Sequence, residues 1–313
     1  MVTVVVRAFN VEPWIRIALD SILAQQTDYS YEIIIGEDCS SDRTLSIAKE
    51  YALKYENIIV VTNEHNRGPV GKWIDCVRRG SGKYIMICDA DDWWHNPNKI
   101  QMQVDLMEAH PECVICHSDY DNFSDKSLKT MHNCNKRKGV TESEGSIQKL
   151  LYGGKSKIVN VTSCYRRSVF EEHVPLDEYE KLGLLGDDYP TWVILSAYGE
   201  VRYLPISTAT YRTGNVSMTR EPHYEKVHNR YETEKRQARW LLSMFPHLGT
   251  YTEDDEQYYN KYCSHQLLLA AYRNDDYASA HKFAKQDKMP NWKTIMARTW
   301  LTFKLARWYS NRK

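Results

Sequence analysis

Residues 83–94 read "KYIMICDADDWW". Tyr84 to Cys88 form a short, unbroken apolar run, the mark of a strand buried on both faces. Three carboxylates follow at once: Asp89, Asp91 and Asp92. Like charges this close repel one another, and burying them unpaired is costly. A solvated acidic turn resolves this, and so does a bound divalent cation. These residues alone leave both readings open.

Outward from this stretch, strands and helices alternate by hydrophobic periodicity. "TVVVRAF" (3–9), "YEIIIGEDCS" (31–40), "NIIVVTNE" (57–64) and "ECVICHSDY" (112–120) read as strands. Between them, "EPWIRIALDSILAQ", "SSDRTLSIAKEYALKY", "PVGKWIDCVRRG" and "NPNKIQMQVDLMEAH" read as helices, with prolines and small polar residues near their starts. Short strand–helix alternation implies parallel strands with right-handed crossovers. In such sheets, ligands sit outside the carboxyl ends of the strands. That rule groups Phe9 and Asn10, Glu37 and Asp38, Asn66 to Gly68, and Asp89 to Asp92 around one crevice.

Residues 120–220 are less regular. "KIVNVTSCYRRSVF" reads as strand then helix, "LGLLGDDYPTWVILSAYG" as loop then helix, and "EVRYLPISTATYR" as strand. From Glu221 onward the pattern is helical, with a hairpin turning near residues 274–276. The expected division is an α/β catalytic domain over 1–220 and a helical region over 221–313.

The 313 residues suffice for one large or two ordinary domains, and 42% hydrophobic with 26% charged residues is ordinary for a soluble globular chain. Lys plus Arg equals Asp plus Glu, 41 each, so no nucleic-acid partner is expected. No run reaches the ~18–20 apolar residues that cross a bilayer. "MVTVVVRAFN" lacks the features of a signal peptide. Eight scattered cysteines fit reduced thiols. "CVICH" (113–117) has the spacing of a haem-attachment site, but it also alternates as a strand does, and the strand is the expectation. The expected location is therefore the cytoplasm, with the inner face of the membrane as the alternative.

The α/β layout suits a nucleotide, yet the turn after strand one, "RAFNVEPW", contains no glycine, and no GxxxxGK[ST] occurs. A dinucleotide cradle and a P-loop are both excluded. Something else must neutralise phosphates, and a metal at the acidic stretch would do so.

"VTVVVRAFNVEPWIRIALDSILAQ", "YEIIIGEDCSSDRT" and "GKYIMICDADDWW" together resemble the N-terminal half of family 2 glycosyltransferases, which have the GT-A fold. Members typically read V-S-V-I-x-x-Y-N at strand one, D-D-x-S-x-D at strand two and D-x-D-D at strand four. The resemblance runs on through "LLGDDYPTWVILSAYG" and "YRTGNVS", over roughly two thirds of the chain. It implies that Ala8, Phe9, Asn10 and Glu12 line the nucleotide pocket and that Asp38 accepts a hydrogen bond from the base, usually uracil. It implies that Asp91 holds Mg²⁺ or Mn²⁺ against the diphosphate, with Asp89 near the ribose or metal. Asp187 and Asp188 match the acidic pair whose second member is the usual catalytic base. In three places the chain departs from the pattern. Arg7 stands where Pro is common, Glu37 replaces the first Asp of the strand-two pair, and "YRTGNVS" lacks a His two residues after Tyr-Arg.

The implied function is inverting transfer of a sugar from a nucleotide donor, a UDP-sugar by the family's habit, to a glycan or lipid-linked acceptor. A hard cation stabilises charge on the departing phosphate, and one carboxylate takes the acceptor's proton. Asp188 is the expected base; the same residues also fit a helix N-terminus with Pro190 in its first turn. Arg67 suits either a base or phosphate contact or a solvated loop. Trp93 and Trp94 suit a sugar wall or core. The rival readings are a sugar nucleotidyltransferase, which wants a Gly-rich basic loop after strand one, and a non-catalytic nucleotide- or sugar-binding protein. Finally, "NWKTIMARTWLTFKLARWYSNRK" (291–313) carries bases and no acid. Read as one helix, it aligns Trp292, Ile295, Met296, Trp300 and Phe303 in a stripe that suits a membrane surface or packing on the catalytic domain.

Overall fold

In the computed structural model the described residues are 1–140, 158–214, 221–287 and 292–311. The chain divides into two compact units, Met1–Gly214 and Asn215–Lys313.

The first unit is built on an eight-stranded sheet. Its strands are β1 (Val2–Ala8), β2 (Tyr31–Glu37), β3 (Ile58–Val61), β4 (Tyr84–Ile87), β5 (Cys113–Ser124), β6 (Lys129–Met131), β7 (Cys164–Arg166) and β8 (Glu200–Thr213). Their order is β3-β2-β1-β4-β7-β5-β6, with β8 paired to β5. The β-branched run of β1 is buried on both faces, because it lies between β2 and β4 and helices cover the sheet. Val2 faces Tyr31 and Tyr84 in a fully parallel register.

The crossover helices are α1 (Ile15–Leu23), α2 (Thr44–Lys54), α3 (Gly68–Arg79) and α4 (Lys99–Ala109). Ile15, Leu19 and Ile22 of α1 and Ile47 of α2 pack with Val4, Val6, Ile33 and Ile35 in the main core. The return into β4 is tight. A Cβ on Gly82 would lie 2.4 Å from the Thr3 backbone nitrogen, so only glycine fits.

β1 to β4 are parallel, in keeping with the mostly parallel sheet expected, and the pattern changes beyond β4. β5 does not pair with β4. The short strand β7 lies between them, antiparallel to both, with Cys164 opposite Met86 on one side and Cys116 on the other. β8 then runs parallel to β5 for its whole length, with register shifts around Asp119. Three residues of "KIVNVTSCYRRSVF" thus complete the sheet. Cys113 and Cys116 of "CVICH" are buried strand residues, and all eight cysteines are free thiols.

The second unit is helical: Tyr224–Met244, Glu253–Arg273, Tyr277–Gln286, Trp292–Met296 and Trp300–Asn311. Thr252 and Asp255 form a reciprocal capping box at the start of the second of these. Asp275, in the left-handed region at φ 57°, makes the hairpin turn into the third. The C-terminal stretch is two helices, not one. It packs on that hairpin: Tyr272 donates to Lys293 O at 2.7 Å, and the Phe303 ring lies tilted against Tyr272 with centroids 4.6 Å apart. Among the described residues, no helix is long and apolar enough to cross a membrane.

Candidate active site

The carboxyl ends of β1, β2 and β4 bring most of the expected residues to one end of the sheet. Ala8 and Asp38 are joined through the backbone, Asp38 N donating to Ala8 O at 3.0 Å. Asp38 is buried and accepts from Arg67 N at 2.8 Å, while Asn66 Nδ2 holds the Asp38 carbonyl. These bonds fix the β3–α3 loop against the end of β2.

Asn10 takes a left-handed conformation, φ 52°, and its side-chain oxygen accepts from Ser41 N at 2.9 Å. Glu12 accepts from Arg43 N at 3.0 Å, and its own N–H donates to Asp42. Asn10 and Glu12 therefore tie the β1–α1 loop to the β2–α2 loop. Phe9 stands out from them, 50% exposed. Glu37 turns inward and accepts from Ser40 N at 2.7 Å, so this departure from the family pattern supports its own turn. At that turn Cys39 is exposed, at φ 62°, and its thiol donates to Asn63 O. The Arg67 guanidinium reaches Glu180 at 2.5 Å.

The acidic stretch after β4 divides into three roles. Asp89 accepts from Arg7 with both oxygens, at 2.6 and 2.7 Å. Asp91 accepts from Arg212 Nη1 at 2.8 Å. Asp92 is buried and accepts from the backbone N–H of Arg212 at 2.7 Å, which fastens the stretch to β8. Burial and the neighbouring carboxylates push the Asp91 and Asp92 carboxyls up.

Asp187 and Asp188 lie at the start of the helix Asp188–Leu195. Asp187 is buried and receives Arg7 Nη1, so Arg7 links it to Asp89. Burial acts against the Arg7 charge, but Asp187 and Asp89 outweigh it and hold the guanidinium protonated. Asp188 is half-buried and, among the described residues, accepts a local bond from Tyr189 N at 2.7 Å. Burial, then the adjacent Asp187 charge, pushes its carboxyl up to about 6. Neither side chain caps the helix. A carboxylate tuned towards neutrality suits proton abstraction.

Three side chains here were not singled out from sequence. Arg212 bridges Asp91 to Asp125 and lies 4.3 Å from the Trp14 ring centroid. Trp14 in turn stacks on Trp93, nearly parallel, and both meet Phe123. Tyr211 stands among the acids; burial and the charges of Asp92 and Asp91 push its phenol up to about 12. Trp93 is half-buried in this aromatic cluster, whereas Trp94 is core. The signal available was a Tyr-Arg pair ending a strand opposite an acidic run. Asn215 to Ser217 of "YRTGNVS" lie outside the described residues.

Carboxylates outnumber guanidiniums here, so the site carries net negative charge. Asp91 suits a hard cation that would offset it: its side chain is 37% exposed, against 26% for Asp89. A cation on Asp89 competes with Arg7 for both oxygens. Among the described residues no three His, Cys, Asp or Glu side chains cluster as a metal site.

The comparisons agree with this architecture. The chain is 31% identical over 128 residues to the Escherichia coli UDP-Glc:alpha-D-GlcNAc-diphosphoundecaprenol beta-1,3-glucosyltransferase WfgD, covering 41% of this chain and 49% of that one. It spans about a third of the length of the mycobacterial relatives it matches at 36% identity. Staphylococcus aureus TarS 1–349, solved with UDP-GlcNAc, superposes with a TM-score of 0.53 at 16% identity, covering 92% of this chain and 93% of that one. The mannosyltransferase PcManGT of Pyrobaculum calidifontis, solved with GDP-Man and Mn²⁺, gives 0.54 at 16% identity, covering 99% and 87%. Both likenesses are of fold, and both place the first unit in the GT-A class. The description "Glycosyl transferase family 2" matches residues 3–174. With more than half its length matched and the acidic strand ends in the family's order, the chain belongs to glycosyl transferase family 2.

Proposed function

We propose that this chain transfers a sugar from a nucleoside-diphosphate donor, of the UDP class, to a hydroxyl of a glycan or lipid-linked acceptor, with inversion. The observation that carries the proposal is Asp188: half-buried, in no salt bridge among the described residues, and pushed up to about 6 beside the Arg7-linked pair Asp89–Asp187. Asp188 takes the acceptor proton as the acceptor oxygen bonds to the anomeric carbon. The bond from that carbon to the diphosphate oxygen breaks on the opposite side. One displacement inverts the centre and needs one base.

Ala8, Phe9, Asn10, Glu12 and Asp38 form the nucleoside end, where the exposed Phe9 ring offers a stacking face. Arg67, pinned by its N–H to Asp38 and by its guanidinium to Glu180, orders the loop over that end. Asp91, with Asp89 beside it, would hold Mn²⁺ or Mg²⁺, whose contribution when bound is to offset charge on the leaving diphosphate. Asp187, paired with Arg7, fixes the helix start that presents Asp188. The UDP class draws support from the UDP-Glc donor of WfgD and the UDP-GlcNAc bound to TarS, and a lipid-linked acceptor from the diphosphoundecaprenol acceptor of WfgD.

A panel of nucleotide sugars, assayed for hydrolysis and transfer with and without Mn²⁺, tests this reading, with the product anomer read by NMR. Retention of configuration, or full turnover in Asp188→Asn, overturns it.

A further inference from the structure

The helix Trp300–Asn311 has two apolar faces. Phe303 and Ala306 form the inner one, buried against Tyr272 and Tyr277 of the hairpin. Trp300, Leu301, Leu305 and Trp308 form the outer one, 57%, 64%, 53% and 55% exposed. At 3.6 residues per turn these four fall within an arc of about 140°, on the side opposite Phe303 and Ala306. The preceding short helix also leaves Trp292 and Ile295 in solvent, 46% and 55% exposed. Packing within the unit thus satisfies one face and turns the aromatic face outward. The single stripe expected from sequence is divided: Phe303 is inside, while Trp292, Ile295 and Trp300 are outside.

Charge narrows the choice of partner. From Trp292 to Lys313 the sequence carries six Lys or Arg and no Asp or Glu. Lys304 lies between Trp300 and Trp308 on the outer face, its Nζ on Asp275 at 2.7 Å. Tryptophan prefers the headgroup level of a bilayer, and long basic side chains lay their stems on apolar surface while the charge reaches phosphate. A self-association patch has no need of a one-signed base excess, which repels its own copy. An anionic headgroup layer has that need.

We propose that this outer face docks on an anionic lipid surface, with the helix lying in the plane of the interface. The proposal goes beyond the transfer reaction and does not depend on it.

Flotation tests it without substrate. The full chain is mixed with vesicles of phosphatidylcholine alone, or with about 30% phosphatidylglycerol, at low salt and at about 0.5 M NaCl. Flotation is expected with the anionic vesicles at low salt, with little on phosphatidylcholine and release by salt. Trp300→Ser with Trp308→Ser, both at exposed positions, should lower partitioning at least about tenfold with an unchanged melting temperature. Leu301→Ser with Leu305→Ser should act likewise. A full chain that floats with neither vesicle overturns the proposal, as do variants that float like the parent. A dimer in solution that the tryptophan variant dissociates, without flotation, assigns the face to a second copy instead. Should the variants misfold, brominated lipids decide: quenching of the parent's tryptophan emission supports docking, and its absence overturns it.

Discussion

Arg7 lies against Asp89 as a two-pronged pair, Nε to Oδ1 at 2.6 Å and Nη2 to Oδ2 at 2.7 Å, and its remaining arm donates to Asp187. One guanidinium, 14% exposed, therefore holds together the acidic end of β4 and the start of the helix that carries Asp188. Lysine lacks the planar fork, because its three donors radiate from a single nitrogen.

Removing the fork leaves a buried carboxylate unpaired. Arg7→Met should cost about 3–5 kcal/mol, the range for breaking one side of a buried pair. Asp187→Asn in the same chain removes the stranded charge. The double variant should therefore be more stable than the sum of the single effects by at least about 1 kcal/mol. Urea unfolding of the four chains measures this, and strict additivity would deny the coupling.

As the proposed base, Asp188 should set the acid limb of activity. Its carboxyl, raised by burial and by Asp187 to about 6, must be ionised to accept a proton. Turnover should fall about tenfold per pH unit below about 6. Asp188→Asn should lower turnover at least about 10²-fold, erase that limb and leave UDP affinity nearly unchanged. Stability moves the other way. The folded chain holds this proton more tightly than the unfolded one, so between about pH 6 and pH 4 the group adds stability as pH falls. At neutral pH the charged form costs stability, and Asp188→Asn should stabilise the chain by about 1 kcal/mol, after allowance for solvent. Paired pH–rate and pH–melting curves check both signs.

Asp91 is the most exposed carboxylate of its run, and Arg212 already holds one of its oxygens. Asp91→Asn should weaken UDP binding in Mn²⁺ but change it little in EDTA. Titration calorimetry under both conditions separates a metal contribution from a general loss of fold. Equal losses in both would deny Asp91 the metal role.

The strand return at Gly82 has no room for a side chain. Gly82→Ala forces a Cβ against the Thr3 and Val2 backbone, within 2.4 and 2.6 Å. It should cost about 2 kcal/mol or more, with UDP affinity retained in the folded fraction. A melting temperature equal to that of the parent would contradict this packing.

Periodicity alone was enough for β1 to β4 and their helices, because each strand is short, apolar and bounded by turn residues. It placed Phe9, Asp38 and Asp89 at neighbouring strand ends, and the backbone bond from Asp38 to Ala8 joins the first two of those strands. It failed where pairing is non-local. β7 has three residues, too few for a period, and its place between β4 and β5 depends on partners distant in sequence. The roles of Arg7 and Arg212 were hidden for a related reason. Each answers carboxylates more than 80 residues away, and nothing local distinguishes a guanidinium that is paired from one in solvent. The C-terminal helix showed its amphipathicity but not its two-sidedness, because an alanine such as Ala306 carries little hydrophobic signal although it is buried.

The turn at the end of β2 leaves a practical handle. Seven of the eight cysteines are buried, and Cys39 is exposed, one residue beyond Asp38. A maleimide dye should therefore attach at one position in the folded chain, without any cysteine being engineered away. There it sits beside the carboxylate proposed to meet the base, so its emission gives an optical readout of nucleotide arrival, suited to stopped-flow measurement of donor on-rates.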